Sequence, residues 1–363
     1  MKFKFFASAI FALFLWLVAV AVATGEQTFA QSQVFNHGIA GDWDVNSNCV
    51  AVANLMASKG VKTVIGLGDY GYEDTAPTWW RTCLHNNNDL TQPKLGPGWS
   101  MWGAIGNHER TQKSAYMGVF GQDSPVTSTI RDKHYQIFMD TSENLLTSPD
   151  RCNPINYKVG TPQYNEVKLL LEDAKAWKDS GEVNWISVSL HCNIYSSSSQ
   201  HPPTRDLRTI YQQLWENADV DFVFSGHNHN YERTYPLTWT GTNYQICNPG
   251  QTTEYIDLDD KDCIIFFTVG TGGRTGETLK SAPSYIVPTE RTLPYGYLNM
   301  GIDNTKGEVR FQMFKTDGKT ISDFIVKRTI VAPQTNAAVS DPLGQTDITF
   351  SPAAREVCNT SCR

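Results

Sequence analysis

The chain has 363 residues, 10 of them tryptophan, and a formal net charge of -7. That length allows one large core or two ordinary ones. The acidic balance and the lack of a long basic run argue against a nucleic-acid or anionic-membrane partner, and the aromatic content argues against a disordered chain.

Lys2 and Lys4 precede an almost wholly apolar run from Phe5 to Val22, and Ala21-Val22-Ala23 supplies an A-x-A cleavage site. This is the pattern of a secretory signal peptide over residues 1–23. The run is near the minimum for a membrane span, so an uncleaved signal anchor is the alternative. Either way the body is expected to be exported: secreted, extracellular or in a periplasm-like space, with no stable membrane association once the signal is removed. The 8 cysteines agree with export. No CxxC pair occurs, which excludes a zinc ribbon or thioredoxin-type site. Short separation favours the pairs Cys358–Cys362 and Cys247–Cys263.

Val34 to Asp42 reads as a strand, and residues 48–59 as a helix through Val50, Ala53 and Met56, stopped by Gly60. "VKTVIGLGD" is a second strand, which completes a β-α-β unit. "TWWRTCLH" is predicted helical and "MWGAIGNHE" a short strand. Residues 121–165 are polar and irregular, and are expected to form one long loop over a site or a boundary between two domains. "EVKLLLEDAKAWKDSG" is the clearest helix, closed by Gly181. "VNWISVSLHC" is a strand, "TRDLRTIYQQLWENA" an amphipathic helix and "VDFVFSGHNH" another strand. After residue 230 the helices give out, and "CIIFFTVGTGG", "PYGYLNMGID", "EVRFQMFK" and "TISDFIVKR" read as strands. The expected organisation is an α/β catalytic domain over residues 34–331 and an extended tail over 332–363. A division near residue 150 is the alternative.

The strand ends share a feature. Asp42 follows "HGIAG", Asp69 follows "VIGLG", Asn107 and His108 follow "WGAIG", His191 follows "WISVSL", and His227 and His229 follow "FVFSG". One such residue is a turn or a satisfied core histidine. Five successive strands that each deliver Asp, Asn or His to a carboxyl end point to a metal site, because that edge is where sites form in open α/β sheets. Imidazole with carboxylate suits Fe, Zn and Mn better than Ca or Mg. A pair of ions also needs a bridging carboxylate.

"GDW", "GDYGY", "GNHE", a lone His after a strand and "GHNHNYER", in that order, resemble the metallophosphoesterase superfamily, and within it the purple acid phosphatases. The resemblance covers about residues 35–302. It implies a β-sandwich of two mixed sheets flanked by helices. It also implies a site in which Asp69 bridges two metals, Asp42, Tyr72 and His229 complete an Fe(III) site, and Asn107, His191 and His227 hold a second, divalent ion (Fe, Zn or Mn). Tyr70 lies outside the Gly-Asp-x-x-Tyr spacing and is expected to pack. His108 and His201 stand where the family has substrate-facing histidines, so they are the candidate catalytic residues. His37, His85 and His134 match no motif. Asp44 replaces the family's usual Gly and is expected to cap the following helix or to modify the iron site. Cys192 beside His191 is unusual.

The activity implied is hydrolysis of phosphate monoesters by metal-bound hydroxide, an acid phosphatase with a small-molecule phosphate ester as its partner. The sequence carries no signal for oligomeric state. Two rivals remain at this stage: a Mn- or Zn-dependent phosphodiesterase of the same fold, and a catalytically silent phosphate-binding protein.

Overall fold

In the strand Thr63–Leu67, Ile65 and Leu67 point into one core and Val64 into another. A strand that is apolar on both faces needs cover on both sides, and the architecture supplies it. The computed structural model describes residues 33–331 apart from 143–151, 153–157, 199, 248, 250–253, 260–261 and 294, together with the backbone of 348–350. The signal-peptide pattern, most of the tail and the Cys358–Cys362 pairing lie outside the described residues.

The first sheet has seven strands, in the order Tyr255–Asp257, Thr320–Lys327, Glu308–Lys315, Gly296–Asp303, Val34–Ala40, Thr63–Leu67, Ser100–Ala104. The last three run parallel, and Val34–Ala40 is antiparallel to Gly296–Asp303. The second sheet has eight, in the order Ile286–Thr292, Tyr231–Thr234, Ile265–Val269, Phe222–Ser225, Trp185–Leu190, His134–Phe138, Thr127–Arg131, Ile348–Phe350. Its four central strands, from Ile265–Val269 to His134–Phe138, are parallel. Strands from both sides of residue 150 share each sheet.

The two sheets pack through Phe222, Phe224, Phe267, Phe311 and Phe324, with Ile65, Leu67 and Leu298. The Phe267 and Phe311 ring centroids are 4.8 Å apart. Each such fully buried side chain stabilises the fold by about 1.5–3 kcal/mol. The helices Ser47–Ser58, Ala76–Leu84 and Lys113–Phe120 cover the outer face of the first sheet, with Val52, Met56, Trp79 and Tyr116 clustered with Val64 and Met101. Pro162–Asp179 and Arg205–Asn217 cover the second, with Leu170, Leu171, Tyr211 and Trp215 clustered with Ile186 and Val188. The fold is the expected sandwich of two mixed sheets flanked by helices. No helix among the described residues is long and apolar enough to cross a membrane.

Three local expectations are corrected. Residues 121–165 are not one irregular loop: Thr127–Arg131 and His134–Phe138 form an antiparallel hairpin. Its turn residues Asp132 and Lys133 both have positive φ, 55° and 57°, as a two-residue hairpin turn of the primed type requires. The helix Lys113–Phe120, ended by Gly121 at φ 70°, has no counterpart among the predicted elements. Asp44 does not cap the first helix. Asn46 does, accepting from the backbone N–H groups of Asn48 and Cys49.

Disulfides join Cys49 to Cys83, Cys152 to Cys192 and Cys247 to Cys263. The last is one of the two expected pairs. Three disulfides are characteristic of an oxidising compartment. The second explains the cysteine beside His191: it ties that strand end to residue 152.

Candidate metal centre

The parallel strands of both sheets end at one rim. Val34–Ala40, Thr63–Leu67 and Ser100–Ala104 lead to Asp42, Asp69 and Asn107; Trp185–Leu190 and Phe222–Ser225 lead to His191, His227 and His229. Two contacts lock the sheets together there. The His227 N–H donates to Asp42 Oδ2 at 2.9 Å, and His191 Nδ1 donates to the Leu67 carbonyl at 2.8 Å. The approach is close enough that a Cβ on Gly68 would lie 2.7 Å from the Gly106 backbone and from His191 Nδ1, and Gly68 also sits at φ 85°. No other residue type fits that position.

Backbone strain concentrates at the same place. Asp42, Asp69, Tyr72 and His227 have φ of 56°, 52°, 50° and 70°. Positive φ is uncommon for Asp and a true outlier for a bulky aromatic. Each such residue costs on the order of 1–3 kcal/mol and persists where the surroundings over-determine it, which is typical of functional sites.

The side chains converge in two groups. Tyr72 Oη lies 3.3 Å from Asp42 Oδ1 and 3.0 Å from His229 Nε2, with His229 Nε2 3.6 Å from Asp42 Oδ1. His191 Nε2 lies 2.9 Å from Asn107 Oδ1, 3.2 Å from His227 Nδ1 and 3.3 Å from Asp69 Oδ2. Asp69, His191 and His227 can bring one ligand atom each within 4.8 Å of one another. All seven candidate metal ligands, Asp42, Asp69, Tyr72, Asn107, His191, His227 and His229, are therefore in the cluster.

The donor set fits cations. His191 and His229 each give their Nδ1 proton to a backbone carbonyl, of Leu67 and Thr275. Each therefore turns Nε2 toward the carboxylates, which is the arrangement of metal-ligating histidines. The convergence then consists of carboxylate, phenol, amide and imidazole atoms, the mixed oxygen and nitrogen donors that suit a transition-metal cation. The electrostatics agree. Burial drives the Asp42 carboxyl well above its usual range, and the neighbouring Asp69 and Glu277 charges add to this against the opposing His191. Burial would raise Asp69 too, but the His191 charge and hydrogen bond beside it hold it well below the carboxylate range. Burial opposes the charge on His191, yet Asp69 and Asp42 raise it to about 10. Burial, then Asp42 and Asp69, push the Tyr72 phenol up. Burial lowers His227 and His229.

A testable consequence follows for metal loading. With no metal bound at pH 7, His191 and Tyr72 both hold a proton that a ligating atom must lose. Loading at neutral pH should release at least about two protons per chain, and affinity should fall about tenfold per proton for each unit of acidification. Titration of metal into weakly buffered protein with a pH indicator measures this. Uptake without proton release would contradict ligation by these groups.

The candidate catalytic histidines flank the cluster. His108 Nε2 lies 3.9 Å from Asp69 Oδ2, its ring centroid lies 4.3 Å from that of Tyr72, and its side chain is 34 % exposed. The His201 ring lies 4.2 Å from that of His227, and its Nε2 is 3.1 Å from Glu277 Oε1. His37 and His134 instead pair with Asp132 and Ser187, and His85 with the Trp80 carbonyl.

Three supporting residues escaped the sequence reading. Glu109 is buried and accepts the N–H groups of Asp69, Tyr70 and Gly106 at 2.7, 2.7 and 2.9 Å; burial and the Asp69 charge push it up to about 7. Its place in "GNHE" was the available signal. Glu277 lies 3.1 Å from His201 and 3.5 Å from His229 and accepts from Ser198. Arg274 lies over the Tyr72 ring at 4.2 Å and pairs with Asp44 at 2.8 Å. Nothing local in the sequence marks Glu277 or Arg274.

The calcineurin-like phosphoesterase family model matches residues 38–231, which contain all seven converging side chains. The chain belongs to the calcineurin-like phosphoesterase family. Among its relatives, the Fe(3+)-Zn(2+) purple acid phosphatase 12 of Arabidopsis thaliana is 24 % identical over 300 residues, covering 73 % of this chain and 57 % of the relative. A phosphoenolpyruvate phosphatase of Allium cepa is 24 % identical over 299 residues, covering 74 % and 56 %. The chain thus spans a little over half the length of these relatives. Among solved structures, the purple acid phosphatase PPD1 from yellow lupin (Lupinus luteus) seeds has the same fold, with a TM-score of 0.62 at 19 % identity over 82 % of this chain and 54 % of that one.

Proposed function

We propose that this chain is a secreted acid phosphatase that hydrolyses phosphate monoesters at a binuclear metal centre. The observation that carries the reading is the convergence of Asp42, Tyr72 and His229 beside Asn107, His191 and His227, with the Asp69 carboxylate at the second group. Fe(III) would be held by Asp69, Asp42, Tyr72 and His229, since an anionic phenolate oxygen favours a trivalent ion. Asp69, Asn107, His191 and His227 would hold Fe, Zn or Mn, which suit mixed imidazole and oxygen donors. The two relatives, a purple acid phosphatase and a phosphoenolpyruvate phosphatase, support the monoester reading. The three disulfides and the signal-peptide pattern support export.

The bound metals would supply a nucleophile from water at near-neutral pH and neutralise phosphoryl charge. The chain's own groups do the rest. His108 and His201 border the ligand cluster, beside Tyr72 and His227, and would donate hydrogen bonds to phosphoryl oxygens as charge develops. His201 is oriented by Glu277. His108 is the more open to solvent, so its proton is readily replaced, and we assign it as the acid that protonates the leaving oxygen.

His108→Ala should lower turnover of an alkyl phosphate by roughly 10²–10⁴-fold with metal content unchanged. Loss on an aryl ester with a very good leaving group should be much smaller. Equal losses on both would exclude proton donation as its role. Absence of turnover in metal-replete wild-type protein would exclude the phosphatase reading as a whole.

A further inference from the structure

Arg274 is a permanent cation in contact with a candidate ligand, and no motif accounts for it. Its guanidinium lies 4.2 Å from the centroid of the Tyr72 ring. Nη1 donates to Asp44 Oδ2 at 2.8 Å, and the Arg274 backbone N–H donates to the Asp42 carbonyl at 2.8 Å. Nε and Nη2 have no hydrogen-bond partner among the described residues, and the side chain is 41 % exposed. An ion pair this exposed contributes little to stability. What the pair does is fix direction. A guanidinium laid on a ring and held at one end by a carboxylate presents its remaining N–H groups as a rigid fork, the geometry that grips carboxylates and phosphates.

The position of the fork matters. It lies over the ring of Tyr72, whereas Tyr72 Oη reaches away to Asp42 and His229. A phosphate held at the ligand cluster is faced by His108 and His201. Arg274 borders the same cluster, through the Tyr72 ring and the Asp42 backbone, so it is a cation within reach of a group attached beside that phosphate. We propose that Arg274, positioned by Asp44, is a specificity-determining residue that takes up a second anionic group, a carboxylate or another phosphate, carried next to the phosphate being cleaved. This rests on the phosphatase reading above and narrows its substrate class. It also gives Asp44, which stands where the resemblance expects Gly, a role outside both helix capping and metal ligation.

The test uses metal-loaded protein and three substrates: ethyl phosphate, phosphoglycolate, which adds a carboxylate, and pyrophosphate, which adds a phosphate. Arg274→Gln should raise KM for phosphoglycolate, pyrophosphate or both by about ten- to a hundredfold while ethyl phosphate stays within about threefold. Which of the two suffers identifies the anion. Arg274→Lys keeps the charge, loses the fork and should fall between. An equal loss on ethyl phosphate, or no change on any substrate, overturns the inference. If the wild type turns over none of the three, the phosphatase reading fails and the inference is judged by calorimetry. Arg274→Gln must then weaken binding of phosphoglycolate or pyrophosphate more than that of inorganic phosphate, and equal weakening overturns it.

Discussion

Asp69→Asn should reduce bound metal from about two ions per chain to one or fewer and lower kcat/KM by on the order of 10³-fold or more. Asp69 is the carboxylate assigned between the two ions, and losing its charge removes attraction for both. Metal-derived charge stabilisation is worth several kcal/mol, and each 1.36 kcal/mol is a factor of ten in rate. Asn is the informative replacement because the backbone there is left-handed, at φ 52°. Asn tolerates that conformation where Ala would be strained. Its amide oxygen can still accept the His108 N–H that Asp69 Oδ1 accepts at 2.9 Å. The fold should therefore hold while the charge is lost. Metal analysis and steady-state kinetics on the same preparation check this, and wild-type metal content with wild-type turnover would remove Asp69 from the centre.

Tyr72→Phe should abolish any visible charge-transfer band and make iron easier to lose or reduce. The ring, its strained φ of 50° and its contact with Arg274 are retained, and the one atom removed is the oxygen between Asp42 and His229. Tyr70→Phe is the matched control. The Tyr70 hydroxyl donates to the Ala104 carbonyl at 2.8 Å, inside a cluster with Trp79, Tyr116 and Phe120. Its removal leaves a buried acceptor unpaired, at a cost of about 1–3 kcal/mol in stability, with the band intact. Absorption spectra and denaturant melts of both variants separate the two roles. A band that survives Tyr72→Phe would assign the ligand elsewhere.

The strand-end residues were legible because each follows an apolar run and most follow a glycine, and because a parallel strand order brings carboxyl ends to one rim. Tyr72 was legible only through the spacing of the family's motif. What supports them was not. Asp44 and Arg274 are 230 residues apart and His201 and Glu277 are 76 apart, so no local pattern pairs them. Asp44 looked like a helix cap because Asp is a good one, but Asn46 sits two residues nearer the helix and takes the position. The hairpin Thr127–Phe138 was hidden by its composition: Ser128, Thr129, His134 and Gln136 are buried polar residues, with Ser128, His134 and Gln136 hydrogen-bonded to Tyr135, Ser187 and Ser189, so the strands lack apolar alternation. Its turn is Asp-Lys where Asn-Gly or Asp-Gly would have signalled it.

The central claim is that Asp42, Asp69, Tyr72, Asn107, His191, His227 and His229 hold a pair of metals, one of them an Fe(III) with a tyrosinate ligand. The most direct measurement is the metal content of the oxidised wild-type protein together with its visible spectrum. The account predicts about one iron and one further Fe, Zn or Mn per chain, and a purple to pink colour that disappears in Tyr72→Phe. Full iron occupancy in a colourless protein would contradict it, as would two equivalents of Mn or Zn with no iron; the second result would favour the Mn- or Zn-dependent phosphodiesterase alternative.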